Sequence, residues 1–227
     1  GGNHLLHVIR RNLDVHILLF NNRIYGLTKG QYSPTSQVGI RSPSTPYGSL
    51  DAPVVPAQFA LGANGRFVAR VYDTASKGIA ESIRRAHSHK GASFVEILQN
   101  CPVFNDGAFE PITAKASAAE SQLWVEHGKP LLFGKDRARG LRLRPGSMEL
   151  EVVRIGEQGI TASDVLVHDE QNRSLAFLLA GMEAPAFPVA FGVLYCSQTP
   201  SSYEAAVQRQ NAQVTEKLGK GDFAKLF

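Results

Sequence analysis

The chain has 227 residues, 43% of them hydrophobic and 19% charged, which is enough apolar material for a core and excludes a wholly disordered polypeptide. No apolar run approaches the roughly 20 residues of a bilayer-spanning helix, which argues against an integral membrane protein. With 24 Lys+Arg against 20 Asp+Glu the net charge is +4, a mild and dispersed excess that gives no footing for nucleic acid.

The two cysteines, Cys101 and Cys196, lie far apart, and no secretory signal precedes them. That pattern fits a reducing cytoplasm. The sequence opens on Gly1-Gly2-Asn3-His4, without Met, inside an amphipathic pattern, as expected of a piece of a longer chain. From His4 to Arg11, Leu5, Leu6, Val8 and Ile9 recur at helical spacing, and Asn12 marks the end. Residues 15–20 form a short apolar run that predicts a buried parallel strand ending at Asn21-Asn22. Residues 26–56 are rich in Gly, Ser, Thr and Pro without periodicity, and so long a connection points to a functional or ligand-covering loop.

Regular structure resumes at Phe59, followed by a strand at 66–71, a helix at 79–86 and a strand at 94–98. This alternation predicts an α/β fold with a parallel sheet and crossover helices. After Cys101 the pattern changes. A helix is expected over 115–127, strand-like stretches over 129–172 including 149–153, and a short helix at 174–180. Pro185 and Pro188 bracket a turn before the apolar run 189–195, and an amphipathic helix closes the chain at 203–218. Residues 111–227 therefore read as an α+β appendage to residues 1–110.

The chemistry concentrates where the first strand ends. Side chains and carbonyls at the carboxyl end of a parallel strand face the crevice in which open α/β sheets bind ligands. An Asn carbonyl, a nearby backbone carbonyl and a carboxylate would make a hard oxygen site of the kind that suits Mg²⁺, which usually shares such sites with a phosphate group. Gly26 and Gly30 would let backbone amides approach that phosphate closely. On residues alone, the Asn pair reads more readily as a turn that merely ends a strand. No Gly-x-Ser-x-Gly, P-loop or Gly-x-Gly-x-x-Gly motif is present, which removes serine hydrolase, NTPase and dinucleotide-binding readings.

Three ordered stretches carry a resemblance: Gly-Gly-Asn-His-Leu-Leu-His-Val-Ile-Arg-Arg-Asn at the start, Asn-Asn-Arg-Ile-Tyr-Gly-Leu-Thr-Lys-Gly-Gln-Tyr-Ser-Pro-Thr at 21–35, and Ser-Phe-Val-Glu-Ile-Leu-Gln-Asn-Cys-Pro-Val-Phe-Asn at 93–105. Together with 127–136 and 166–170 they resemble the β subunit of the 2-oxoacid:ferredoxin oxidoreductases, most closely the 2-oxoglutarate type. The resemblance implies a thiamine diphosphate-binding domain with a family-specific C-terminal region. It implies oxidative decarboxylation of 2-oxoglutarate to succinyl-CoA and CO₂, with electrons passed through a [4Fe-4S] cluster to ferredoxin. It also implies an α subunit that completes the active site.

Carried over residue by residue, Asn22 matches the side-chain Mg²⁺ ligand and Ile24 the backbone-oxygen ligand. Tyr25, Gly26, Leu27, Thr28 and Gln31 would line the cofactor, while Leu27 and Lys29 would face the substrate, the Lys29 ammonium attracting a distal carboxylate. Cys101 matches one of four cluster thiolates, and Cys196 matches none and reads as structural. The family's Gly-Asp-Gly motif, its metal carboxylate and the other three cluster cysteines are not in this sequence, so the fragment alone is expected to bind cofactor poorly. Pyruvate or broad 2-oxoacid specificity is the alternative within the family; another thiamine enzyme and a non-catalytic assembly subunit are the others. His4 and His7, one turn apart, read as structural more than as cofactor contacts, and His87 and His89 read as facing apart. The five basic residues between Lys135 and Arg144 are expected either to be a solvated face or to form part of a ferredoxin dock.

Overall fold

The computed structural model describes residues 1–197, 201–222 and 224. The main sheet has five strands in the order β1-β3-β2-β8-β4: β1 His16–Asn21, β2 Phe67–Tyr72, β3 Ser93–Leu98, β4 Gln122–Trp124 and β8 Val189–Cys196. β1, β3 and β2 are parallel, as the alternation of elements predicts. β8 runs antiparallel to β2, and β4 parallel to β8. The sheet is therefore mainly parallel but mixed, and strands from both sides of residue 110 lie in it. A second, antiparallel sheet joins β5 Leu132–Phe133, β6 Arg139–Leu143 and β7 Leu150–Arg154.

Strand alternation sorts the core onto two faces. Helix α3 (Ser76–Ser88) covers the face that carries Phe67, Ala69, Val71, Val95 and Ile97. On the other face Val68 and Phe94 pack with α2 (Pro56–Gly62), α6 (Arg173–Ala180) and the small sheet. Pro56 opens α2, where its fixed φ and missing N–H cost nothing. α6 is capped by Asn172, whose side chain accepts from the Leu175 amide at 3.0 Å.

Three expectations need correction. The 15–20 run is parallel but not buried: β1 is an edge strand, and its side chains on the α3 face, Leu18 and Phe20, are 41% and 57% exposed. The expected helix at 115–127 stops early, as α5 Lys115–Ser121, because Gln122 turns extended and Leu123 is buried as a strand residue beside β8. Trp124 then packs against Phe191 and Tyr72 at ring distances of 5.4 and 6.0 Å. The last helix, α7 Tyr203–Leu218, has the expected bounds but buries no residue, so its apolar side chains form no packed face. The remaining helices are α1 Gly2–Arg11 and α4 Glu110–Thr113.

Candidate active site

The carboxyl ends of β1 and β3 lie side by side, with Asn21 opposite Leu98 in the register. Two loops leave from there. The first begins Asn21-Asn22-Arg23-Ile24. Asn21 is buried, and its Oδ1 accepts from the Arg23 amide at 3.2 Å. Asn22 Oδ1 accepts from the Ile24 amide at 3.2 Å. Between them Arg23 adopts φ +57°, a left-handed conformation that a non-glycine residue occupies only when its surroundings hold it there. Its guanidinium lies 4.7 Å from the Phe109 ring centroid, and burial draws its pKa below the ordinary arginine value, against the pull of Glu183 and Glu96.

Residues 25–31 form a closed turn. The Tyr25 amide donates to Gln31 O at 2.8 Å, the Gly30 amide to Tyr25 O at 3.0 Å and the Lys29 amide to Gly26 O at 3.0 Å. Leu27 at its tip is 99% exposed, Thr28, Lys29 and Gln31 are exposed, and Tyr25 is 47% exposed. Gly30 is enclosed instead: at φ +94°, a Cβ there would sit 3.1 Å from Phe104 Cδ1. The glycine thus makes room for an aromatic ring from the second loop.

That second loop follows β3 and carries Cys101, half-buried, whose carbonyl accepts from the Asn105 amide at 2.9 Å. Asn105 Nδ2 in turn donates to Asn22 O at 2.9 Å. Asn105 and Phe104 therefore tie the Cys101 loop to the Asn22 loop, and the fold brings both sequence-predicted sites to one end of the sheet. The remaining candidates lie elsewhere. Cys196 ends β8 near Glu170 and Arg85, and burial pushes its thiol pKa up. His4 and His7 are exposed on α1, the His87 ring meets His16 edge-on at 5.5 Å, and His89 is buried against Phe67. In the basic run, Arg139, Arg142 and Arg144 have the carboxylate partners Glu120, Glu151 and Glu149, so it is not a face of five free cations.

Beneath the Asn22 turn lies a polar network that reading the sequence did not find. Glu96, 2% exposed, accepts from Arg70 Nε and from Asn21 Nδ2, both at 2.8 Å. Thr35 Oγ1 donates to Asn21 Oδ1 at 2.7 Å, and Arg70 Nη2 to the Ala180 carbonyl at 3.1 Å. These groups line a cavity of about 190 Å³ together with Arg23 and Glu183. A signal was available: Arg70 and Glu96 are charges in the middle of otherwise apolar strands, where an unpaired ion is prohibitively costly.

Asn22 Oδ1 and the Ile24 carbonyl fit a hard divalent cation such as Mg²⁺, because both are neutral oxygen donors. Among the described residues no hydrogen bond reaches the Ile24 carbonyl, and Asn22 Oδ1 accepts only one. Glu96 lies behind that pair and is engaged at both oxygens, by Arg70 and by Asn21. Among the described residues no group of three or more His, Cys, Asp or Glu could hold a metal. Cys101 alone is one thiolate, and Cys196 is not beside it, so these residues do not by themselves fit a cubane cluster.

Comparison with known proteins bears on the same residues. Residues 1–97 match the family model of the thiamine pyrophosphate enzyme C-terminal TPP binding domain. The chain is 49% identical over 180 residues to the 2-oxoglutarate oxidoreductase subunit KorB of Mycobacterium tuberculosis, covering 79% of this chain and 47% of that one. It is 32% identical over 157 residues to the 2-oxoglutarate synthase subunit KorB of Methanothermobacter thermautotrophicus, covering 69% of this chain and 51% of the relative. A solved 2-oxoglutarate:ferredoxin oxidoreductase from Magnetococcus marinus, with 2-oxoglutarate, coenzyme A and succinyl-CoA bound, superposes with a TM-score of 0.65 at 27% identity. That match covers 98% of this chain and 59% of the other. The chain thus spans about half the length of these curated relatives. Its sequence is similar to β subunits of 2-oxoacid:ferredoxin oxidoreductases, and its α/β fold resembles that of the solved enzyme.

Proposed function

We propose that this chain is part of the β subunit of a CoA-acylating 2-oxoglutarate:ferredoxin oxidoreductase that uses thiamine diphosphate, Mg²⁺ and a [4Fe-4S] cluster. The observation that carries the reading is the meeting of the Asn22 turn and the Cys101 loop at one sheet end, through Asn105 and Phe104. It occurs in a chain whose residues 1–97 match the thiamine pyrophosphate domain.

When bound, thiamine diphosphate supplies the electron sink that lets a 2-oxoacid lose CO₂. The chain's own residues hold and orient. Asn22 Oδ1 and Ile24 O would offer two oxygens to Mg²⁺, a cation that would supply charge neutralisation for the cofactor's diphosphate. Tyr25, Gly26, Leu27, Thr28 and Gln31 line the cofactor side, and the closed turn fixes them with little freedom left to lose on binding. Leu27 and Lys29 stand at the exposed tip, where an ammonium can pair with the distal carboxylate of 2-oxoglutarate. Pyruvate has no such group. Cys101 contributes one thiolate, with the other cluster ligands and the metal carboxylate supplied from outside the described residues.

An α subunit is the partner that suits the loop surface. In the 26–56 loop Leu27, Tyr47 and Leu50 are 99%, 97% and 91% exposed, and large apolar side chains left in water on a connection that leaves the site suit a partner's surface. Ferredoxin is the proposed electron acceptor. No helix among the described residues is long and apolar enough to cross a membrane.

The test uses the full-length subunit with its α partner, prepared without oxygen, and CoA-dependent dye reduction with 2-oxoglutarate and with pyruvate. The expected result is a preference for 2-oxoglutarate that Lys29→Gly lowers by an order of magnitude or more in kcat/KM. Equal or faster turnover of pyruvate overturns the substrate assignment. No turnover of any 2-oxoacid, with cofactor and cluster bound, overturns the function.

A further inference from the structure

We infer that Glu96 is a positioning residue for the cofactor loop: through Asn21, and braced by Arg70 and Thr35, it fixes the turn that aims Asn22 and Ile24 at the metal. The inference rests on the proposed thiamine diphosphate site and extends it inward, because none of these four residues is a ligand in that reading.

Strand register brings these residues together. Arg70 and Glu96 are directly paired across β2 and β3, and Leu19, two residues before Asn21, is paired with Glu96 across β1 and β3. Residues paired in this way, and residues two apart on one strand, share a face. Arg70, Glu96 and Asn21 are therefore neighbours on the α2/α6 face. One carboxylate oxygen takes the guanidinium and the other takes the Asn21 amide nitrogen, each at 2.8 Å. Asn21 is then left with one orientation, in which its Oδ1 faces Thr35 and the Arg23 amide.

The consequence appears one residue later. The Arg23 amide is held by Asn21 Oδ1 and its carbonyl by the Ser36 hydroxyl, so its left-handed conformation is over-determined from both sides. That conformation makes the tight reversal in which the Asn22 side chain reaches the Ile24 amide. If Asn21 turned, nothing in its side chain would favour φ +57° at an arginine, and Asn22 and Ile24 would lose their fixed relation. A buried ion pair is weak evidence for stability as such. Here its geometric product is the pose of the next residue along the chain.

The experiment uses the full-length subunit in its complex with the α partner, freed of cofactor. Glu96→Gln presents an NH₂ to one of its two donors. It should weaken Mg²⁺-dependent thiamine diphosphate binding about 10- to 100-fold, the usual cost of losing an orienting partner behind a ligand. It should also speed amide hydrogen exchange at Arg23 and Ile24 in the cofactor-free protein. Leu141→Ala, in the buried core contributed by the small sheet, should lower the melting temperature and leave both quantities unchanged.

A second variant guards against misfolding. Arg70→Met with Glu96→Leu removes both buried charges, a change that often restores stability, yet it should retain the full loss of cofactor affinity. Affinity within threefold of wild type in these variants, with unchanged exchange at 23–24, overturns the inference and leaves the network a purely structural one. A wild-type complex that binds no thiamine diphosphate with Mg²⁺ overturns the proposed site itself, and is seen before any variant is made.

Discussion

Two parts of the molecule use the same chemistry, arginine against carboxylate, in opposite ways. In the main sheet Arg70 and Glu96 are 6% and 2% exposed at the side chain, and their pairing is wired to Asn21 at the base of the Asn22 turn. On the small sheet Arg139–Glu120, Arg142–Glu151 and Arg144–Glu149 range from 25% to 69% exposed. There the pairs sit in water and cancel charge along a run that is basic in sequence. Burial decides what an ion pair does. Without water to exchange partners with, a pair dictates geometry; with it, a pair mostly sets the local net charge.

The sharpest way to break that contrast is to strand one buried charge. Arg70→Ala leaves Glu96 in the interior without its guanidinium, and the expected cost is about 3–5 kcal/mol. Denaturant unfolding checks it, followed by loss of secondary structure. A cost below about 1 kcal/mol would place this pair in the class of the surface pairs.

How much of this was legible in the sequence differs between the regions for a physical reason. β1, α3 and β3 are local patterns, bounded by Asn21-Asn22, Gly91 and Gln99-Asn100, so their periodicity could be read. The insertion of β8 between β2 and β4 is non-local pairing, which no window of sequence contains. The Ala-rich stretch 115–121 favours helix, and that preference ran on into Gln122–Trp124, where packing against Phe191 overrides it. In the candidate site, Asn22, Ile24 and Cys101 were reached through the resemblance. Arg70, Glu96 and Thr35 were not, because only the register makes them neighbours. The same holds for Asn105 and Phe104, which join the two loops but carry no chemical signature of their own.

A milder probe of the buried side is pH. His168 is 1% exposed, its Nε2 is 3.0 Å from the Val193 carbonyl, and its Nδ1 has no partner among the described residues. Burial lowers its pKa below the ordinary 6.5, with the Val193 carbonyl opposing, and burial lowers that of His89 as well. As pH falls below 6.5 the unfolded chain takes up protons that the folded chain resists, so stability is lost on acidification and is flat above. The slope is up to about 1.4 kcal/mol per pH unit for each proton. Unfolding midpoints between pH 7.5 and 5 should fall, and His168→Gln should reduce the slope while leaving the His89 share. A midpoint that rises on acidification would reverse the assignment of these histidines as buried neutral groups.

The smallest effect belongs to the exposed pair Arg144–Glu149, with side chains 57% and 69% exposed and the Arg144 Nε also 4.0 Å from Glu151. A double-mutant cycle of Arg144→Ser and Glu149→Gln should give a coupling of about 0.5 kcal/mol or less, vanishing at about 1 M salt because the Debye length there is near 3 Å. Since Glu120, Glu149 and Glu151 already offset the three arginines, replacing those arginines should change the proposed ferredoxin reduction through the net field alone. Removing the three glutamates should shift the same rate in the opposite direction by a similar factor, measured against ionic strength. A loss confined to the arginine variants and insensitive to salt would mean that the guanidinium groups touch a partner directly, and that exposure on the small sheet marks a contact and not a solvated face.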